Sequence, residues 1–478
     1  MGFNWFDWIV VLVYLLAITW FGVQFRKRQQ SIHTYFLGGQ RTPVWALALS
    51  IVATETSILT VIGTPGIAYA GDMAFMQLVM GYMVGRVVIC LVLIPSYFKG
   101  SMFTAYELMQ RRFGARVKHA TASMFLVTRA LAEGVRVFAI ATVVGVVLGT
   151  DDIWSILIIS ALTLIYTFEG GLTAVIWTDV VQLLIYVSGT VVAFFVALSL
   201  IPGGWTEVVA TAGHKFTLWN FSTDYTVTYT FWAGVIGGAF LNFASHGVDQ
   251  LIVQRLLAAR NERESKVSLL SSGAVIFLQF ALFLVVGIVL YTFYQLHPAE
   301  QVPSPNDRIF PTFVVAHLPH GVSGIMVAAM LAAAMANLSG ALNALASTTV
   351  IDFYRPFFKR DATAEQQLRV SKRMTFIWGL VLTALAVMSR GLRSLLEAGL
   401  TIASITYGSM AGAFLLAVLT RKANERGTII GMAAGLVSML LIWYATPIAW
   451  TWYVLIGTTI TFDVGYIASL VTGAAAER

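Results

Sequence analysis

Three ionisable side chains fall within one apolar stretch of the sequence, at spacings that would bring them together. Arg129, Glu133 and Arg136 are four and three residues apart, so an α-helix would present all three on one face. One carboxylate between two guanidinium groups leaves a net positive charge, and an arginine binds a carboxylate with two parallel hydrogen bonds. We interpret the group as a candidate contact for an acidic solute. The alternative is a buried ion network that holds helices together, with Glu55 or Asp179 as further anions.

A second polar feature interrupts another apolar segment. Glu55 is followed by the hydroxyls of Ser57 and Thr60 and then by Thr-Pro-Gly at 64–66. Charge and loosened backbone inside a membrane segment are tolerated where they face protein or a cavity, although Ser and Thr hydroxyls also bond back to carbonyls and bend a helix. We interpret the segment as a broken helix that lines a solute site. Ser57 and Thr60 lie at the break, and Thr-Pro-Gly forms the break or its outer cap.

The composition is that of a membrane protein with many spans. Of 478 residues, 58% are hydrophobic and only 11% are charged, and apolar runs of about 20 residues recur along the chain. These runs are too long for the strands of a β-barrel. The net charge of +7 comes from Lys and Arg clusters between the apolar runs, which is the pattern of cytoplasmic loops and argues against a nucleic-acid surface. The single cysteine excludes an intrachain disulfide.

We predict an all-α polytopic protein with thirteen transmembrane helices. They are placed at about 5–25, 44–70, 73–98, 118–149, 153–170, 174–201, 229–256, 267–296, 322–352, 372–389, 394–420, 428–446 and 450–472. The distribution of Lys and Arg favours an N-terminus outside and a C-terminus in the cytoplasm, in the cell (inner) membrane.

The helices group into two blocks of five. An N-terminal extra helix with its loop (1–43) precedes the first block (44–202), an extracellular loop (203–228) separates it from the second (229–420), and two extra helices follow (421–478). Blocks of odd size insert in opposite orientations, and each block begins with a polar, glycine-containing helix. This layout predicts inverted repeats whose discontinuous first helices border a central site.

The sequence resembles the sodium/solute symporter family. Three stretches carry the resemblance: SIVATETSILTVIGTPGIAY at 50–69, GGLTAVIWTDVVQ at 170–182 with HGVDQLIVQRLLAARNERES at 246–265, and AAAMANLSGALNALASTTVIDFYRP at 332–356. The resemblance implies a leucine-transporter-type core of 5+5 helices, transport without enzymatic activity, and Na+ as the coupling ion.

The resemblance also implies a main sodium site. Its carbonyl ligands match Ala53, Thr56 and Ala333, and the two hydroxyl positions of the family are Ala336 and Asn337 here. Only the Asn337 amide oxygen could replace a hydroxyl, so we expect an altered or weakened site.

A further cation site of some relatives matches Asp179 and Ser339, with Gly340 at the next hydroxyl position. For Asp179 the alternative is an N-terminal helix cap near the cytoplasm. Because Glu55 and Asp179 are carboxylates in low dielectric that could titrate, coupling to protons also stays open.

Solute contacts follow from the same resemblance. Ser57 and Thr60 match substrate positions of the sugar and sialic acid transporters. The sialic acid transporters hold the substrate carboxylate with an arginine on the helix that corresponds to 118–149 of this chain. The remaining predicted contacts are Gln77, Tyr82, Arg129, Arg136, Asn242, Ser245 and His246. Val79 and Ile276 replace a glutamate and a lysine that recognise sugar, so a simple hexose is disfavoured.

We therefore predict a sodium-coupled symporter that imports a small organic anion or acid by alternating access. Its partners are the solute, sodium and the lipid bilayer, with no nucleic acid, and a monomer is the working expectation. The alternatives are a proton-coupled or sugar-specific symporter of the same fold, and a transporter-like membrane sensor. An enzyme is disfavoured because no nucleophile, base and orienting group or metal cluster is evident.

Overall fold

The computed structural model describes residues 2–24, 42–99, 105–166, 172–358, 364–392 and 394–476, and this part of the chain is helical without a strand. Nine of its helices are long and apolar enough to cross a membrane, and a bent pair adds a tenth. A multi-pass membrane protein is thus confirmed, while the count of thirteen spans and the inverted repeat stay predictions. In chain order the α-helices are α1 (Trp5–Gln24), α2 (Val44–Glu55), α3 (Ile58–Ala70), α4 (Phe75–Val92), α5 (Ile94–Tyr97), α6 (Ala105–Phe113), α7 (Ala115–Leu148), α8 (Asp152–Tyr166), α9 (Leu172–Ser199), α10 (Gly204–Ala212), α11 (Gly238–Gly247), α12 (Gln250–Leu257), α13 (Glu262–Leu296), α14 (Ile309–His317), α15 (Val322–Thr348), α16 (Ala364–Met388), α17 (Leu395–Leu419), α18 (Glu425–Ala445) and α19 (Tyr453–Ala476).

The segment expected as one broken helix at 44–70 consists of α2 and α3, which are bent by 64°. The break falls at Thr56 and Ser57, and the interpretation of Thr-Pro-Gly as the break is wrong, because Pro65 lies inside α3. The Pro65 carbonyl packs against α13 so closely that a Cβ on Gly287 would lie 2.2 Å from it. Contact with a neighbouring helix therefore holds this part of α3 in place across the proline.

The segment predicted at 229–256 is also discontinuous. A π-helical turn at Ala233–Gly237 leads into α11, which ends at Gly247, and α12 begins after Asp249. The Asp249 carboxylate accepts a hydrogen bond from the Leu251 N–H (2.9 Å), so this residue caps the N-terminus of α12. Both segments that we expected to border the site are broken.

These broken helices lie within a packed bundle. α2 packs against α9 and α13, α3 packs against α13 and α17, and α11 packs against α4 and α17. The close approach of α4 to the π-helical turn depends on glycine: a Cβ on Gly81 would lie 2.2 Å from the Gly234 carbonyl oxygen. Backbone contact of this kind holds α4 against the start of the second broken segment.

One end of α3 packs against the turn Asn306–Arg308 and the start of α17. A Cβ on Gly63 would lie 2.8 Å from the Cβ of Leu396, and one on Gly66 would lie 2.8 Å from the Asn306 carbonyl oxygen. Asp307 in this turn is 2% exposed and accepts a hydrogen bond from the Leu395 N–H (2.9 Å). Burial raises the pKa of Asp307 to about 6, against the lowering effect of that hydrogen bond.

Candidate functional site

The break between α2 and α3 releases backbone carbonyls from their helical hydrogen bonds. In a continuous helix the Ser57 N–H would bond the Ala53 carbonyl, but it donates to the Glu55 carbonyl instead (3.0 Å). Likewise the Thr60 N–H donates to the Ser57 carbonyl (2.9 Å) and not to the Thr56 carbonyl, its partner in a continuous helix. Unwound carbonyls of this kind are hard oxygen ligands suited to Na+. The oxygens released include those of Ala53 and Thr56, the two ligands predicted on this segment.

The other predicted sodium ligands lie on α15. Ala333 and Asn337 are partly buried, Ser339 is 7% exposed, and Ala336 lies outside what the structure describes. Within the described ranges, no hydrogen bond uses the Asn337 amide, which leaves its oxygen available as a ligand. α15 also contacts α3. The roles of Ala333, Asn337 and Ser339 as sodium ligands stay predictions.

A cavity of about 1150 Å³, counting its open part, lies between the two broken helices, α7 and α17. Its lining includes the following predicted solute residues: Ser57, Thr60, Tyr82, Arg129, Arg136, Ser245 and His246. Gln77 and Asn242 are not among the lining residues. The Gln77 amide accepts from the Asn220 N–H (3.1 Å) and donates to the Ala74 carbonyl (3.2 Å), so both its ends are engaged away from the cavity.

Sequence reasoning missed several lining groups. Phe75 and Phe280 line the cavity and stack on each other, with ring centroids 5.3 Å apart. Asp249 and Tyr407 also line it, and the Tyr407 hydroxyl donates to the Asp249 carboxylate (2.9 Å). The signal for Asp249 was present, since a carboxylate inside an apolar segment is a functional candidate by itself. Nothing in the local sequence distinguishes Tyr407 from a packing residue.

The α7 charges meet as their spacing predicted. The Arg129 guanidinium lies 2.8 Å from Glu133 Oε1, and Arg136 donates a hydrogen bond to the same oxygen. Glu133 is fully buried. The second carboxylate oxygen of Glu133 and the Nε atoms of both arginines are buried without a hydrogen-bond partner in the described part of the chain. We call these three residues the arginine cluster; it has one net positive charge, and both of its arginines line the cavity.

Glu55 and Asp179 do not join the arginine cluster, so the alternative that made them its further anions is wrong. Glu55 pairs with Arg86 of α4 and lies 3.1 Å from His246 Nε2. The Asp179 carboxylate accepts hydrogen bonds from Arg255 and from the Ser50 hydroxyl, both at 2.8 Å.

Asp179 itself lies in the interior of α9, so its interpretation as an N-terminal cap is also wrong. The ion pair ties α9 to α12 and, through Ser50, to α2, because the Arg255 Nε donates to the same hydroxyl (2.8 Å). Its predicted role at a second cation site stays a prediction.

The chain is similar to known sodium-coupled transporters. The model of the sodium:solute symporter family matches residues 35–435. The sodium/sialic acid symporter SiaT of Proteus mirabilis (strain HI4320) is 28% identical over 479 residues, which cover 98% of this chain and 95% of the relative. The human sodium/iodide cotransporter is 30% identical over 459 residues, covering 93% and 70%.

Solved structures show the same similarity. A substrate-bound, outward-open sodium-coupled sialic acid symporter superposes with a TM-score of 0.85 at 26% identity, covering 98% of both chains. The inward-facing structure of Mhp1 superposes with a TM-score of 0.59 at 12% identity, covering 91% of this chain and 92% of that one. The second likeness supports the fold alone.

Proposed function

Since the chain belongs to the sodium:solute symporter family, we propose that this sodium-coupled symporter carries a small organic acid in the cavity between its two broken helices. The observation that supports an acid is the arginine cluster. Arg129 and Arg136 line the cavity and share one carboxylate oxygen of Glu133. A solute carboxylate could form charge-assisted hydrogen bonds with these guanidinium groups.

The charges around the cavity support the same conclusion. Three cations and three anions belong to the cavity wall or to the ion pairs directly behind it: Arg86, Arg129 and Arg136, with Glu55, Glu133 and Asp249. These groups sum to zero. Bound sodium adds one positive charge, and a monoanionic solute cancels it, so the doubly occupied site is neutral again. A neutral solute would leave the sodium charge uncompensated in a low-dielectric site, which is costly.

The similar proteins agree with an anionic solute. Relatives named for sialic acid, for iodide and for monocarboxylates all carry anions. Sialic acid is therefore the first candidate, followed by simple monocarboxylates and inorganic anions. The aromatic pair Phe75 and Phe280 and the hydroxyls of Ser57 and Thr60 would contact the rest of the solute.

For sodium we propose the carbonyls of Ala53, Thr56 and Ala333 with the amide oxygen of Asn337. The carbonyls released at the break support the first two ligands. The protein would lie in the cell (inner) membrane with its N-terminus outside, as the Lys and Arg distribution favours. Alternating access then exposes the cavity to one side at a time.

A thermal-shift screen of the purified protein tests whether the solute is an organic acid. Sialic acid, lactate, iodide and glucose are each added with and without sodium, because a ligand that binds the folded state stabilises it by about 2.7 kcal/mol at a concentration of 100 Kd. We expect at least one acid to raise the melting temperature more in sodium than in choline. Stabilisation by glucose alone would replace the acid with a sugar.

A further inference from the structure

A buried polar cluster joins the two broken helices. Glu55, the last residue of α2, forms an ion pair through Oε2 with Arg86 of α4, and the same oxygen lies 3.1 Å from Nε2 of His246 on α11. Arg86 is 1% exposed and His246 is 3% exposed. Because the two charges of the ion pair cancel, the cluster can stay buried. It is separate from the arginine cluster on α7.

One protonation pattern satisfies the contacts of His246 with Glu55 and Ser245; in this pattern the Arg86 terminal nitrogen 3.4 Å from Nε2 serves Glu55 and not the ring. With its proton on Nε2, the imidazole donates to Glu55 and accepts at Nδ1 from the Ser245 hydroxyl (2.8 Å) and the Asn242 amide (3.1 Å). This tautomer follows from the hydrogen-bond network. Ser245 lines the cavity. A continuous chain of hydrogen bonds therefore connects the cavity wall on α11 to the carboxylate of Glu55.

At its other end the chain reaches the helix break. Glu55 stands between Ala53 and Thr56, the residues whose carbonyls the break releases, and its own carbonyl accepts the Ser57 N–H (3.0 Å). Arg86 holds the Glu55 side chain from α4, and it also contacts the Tyr82 carbonyl (3.3 Å). The cluster thus holds the side chain of Glu55, and the backbone of Glu55 forms part of the break.

We propose that Glu55, Arg86 and His246 form a positioning cluster that couples sodium binding at the break between α2 and α3 to solute binding at α11. The proposal rests on the proposed function, which places sodium at one end of the hydrogen-bond chain and solute at the other. A ligand at either end favours the same arrangement of the cluster. By linkage, sodium and solute then raise each other's affinity by one common factor.

The first test removes the imidazole and keeps the ion pair. In His246→Leu the side chain at position 246 can bond neither Glu55 nor Ser245, whereas in His246→Gln the side-chain amide can still donate to Glu55. His317→Leu is the matched control, because His317 Nε2 lies 2.9 Å from Glu300 in the connection before α15, away from both breaks. Solute Kd is measured for each protein without sodium and at saturating sodium, together with the melting temperature.

The ratio of the two Kd values reports the coupling. Typical coupling energies correspond to ratios of roughly 5 to 150. We expect a ratio in this range for the unmodified protein and for His317→Leu. In His246→Leu the ratio should fall to one, within about twofold, and in His246→Gln it should recover in part. An unchanged ratio in His246→Leu would overturn the proposal, as would equal loss of both affinities alongside a lower melting temperature.

The second test needs no solute and so separates this proposal from the choice of an organic acid. Leu251, at the start of α12, lines the cavity, and a Leu251→Cys substitution in a Cys90→Ala background offers one thiol. We expect sodium to change its rate of labelling by a thiol reagent, and His246→Leu to abolish that effect. A sodium effect that survives His246→Leu, or no sodium effect in the parent, contradicts the coupling. If no acid binds but labelling behaves as expected, only the proposed solute fails.

Discussion

Replacing Arg136 by lysine should weaken acid binding much more than folding. The Arg136 side chain is 24% exposed against 8% for Arg129, so it is the member of the arginine cluster more open to the cavity. One of its terminal nitrogens bonds Glu133, and its Nε is buried and unpartnered. Arginine can therefore serve Glu133 and a solute carboxylate at once. Lysine keeps the charge but has a single ammonium group for both partners.

The size of the effect follows from the bonds lost. A hydrogen bond between charged groups contributes about 1.5–3 kcal/mol, which corresponds to a loss of roughly 10- to 150-fold in affinity. Glu133 keeps Arg129 at 2.8 Å, so no charge is left unpaired in the variant. We therefore expect a change of about 1 kcal/mol or less in the free energy of unfolding.

The assay is the Kd of an acid at saturating sodium, by calorimetry, with the melting temperature recorded in parallel. The matched control is Arg260→Lys, an exposed arginine 3.9 Å from Glu264, which should leave the Kd unchanged. If Arg136→Lys binds the acid as tightly as the unmodified protein, the arginine cluster is a structural ion network and not a solute contact. The same conclusion would follow if affinity fell only in proportion to folded protein.

Three further predictions address sodium, the second cation site and pH. Asn337→Ala should raise the sodium concentration for half-maximal uptake by roughly tenfold, as expected for one lost ligand bond of about 1.4 kcal/mol; an unchanged value would remove Asn337 from the site. Arg255→Met should lower the free energy of unfolding by about 3–5 kcal/mol, because it leaves the buried Asp179 unpaired. Adding Asp179→Asn should restore most of this stability in denaturation experiments. Loss of sodium dependence in the double variant would instead support the second cation site. Burial raises the pKa of Asp307 from 3.8 to about 6, so the folded state holds its proton more tightly than the unfolded state, and stability should fall by about 2 kcal/mol as pH rises from about 4 to 7. Asp307→Asn should lack this pH-dependent part of the stability. If the melting temperatures of the two proteins change in parallel from pH 4 to 7, the pH dependence does not come from Asp307.

Local features of the site were predictable from sequence, because helical spacing alone brings Arg129, Glu133 and Arg136 together. The break at 44–70 was predictable, and the placement of Ser57 at the break agrees with the structure. The alternative placement at Thr-Pro-Gly does not, because Pro65 lies inside α3.

Long-range pairs were not predictable in the same way. Glu55 and Arg86 are 31 residues apart, and Asp179 and Arg255 are 76 apart. Balanced charges inside apolar segments indicated that such pairs would form, since an unpaired buried charge is costly. Which partners meet depends on how the bundle places α2 beside α4 and α9 beside α12. A single sequence does not specify that packing through local pattern.

The most direct measurement of the central claim is uptake of a radiolabelled acid, sialic acid first, into proteoliposomes that hold the purified protein. An inward sodium gradient at equal pH should drive accumulation above the external concentration, and choline in place of sodium should abolish it. Arg136→Lys should lose this uptake while Arg260→Lys keeps it. Accumulation driven by a pH gradient without sodium would contradict sodium coupling, and sodium-driven uptake of glucose with none of the acids would contradict the proposed solute.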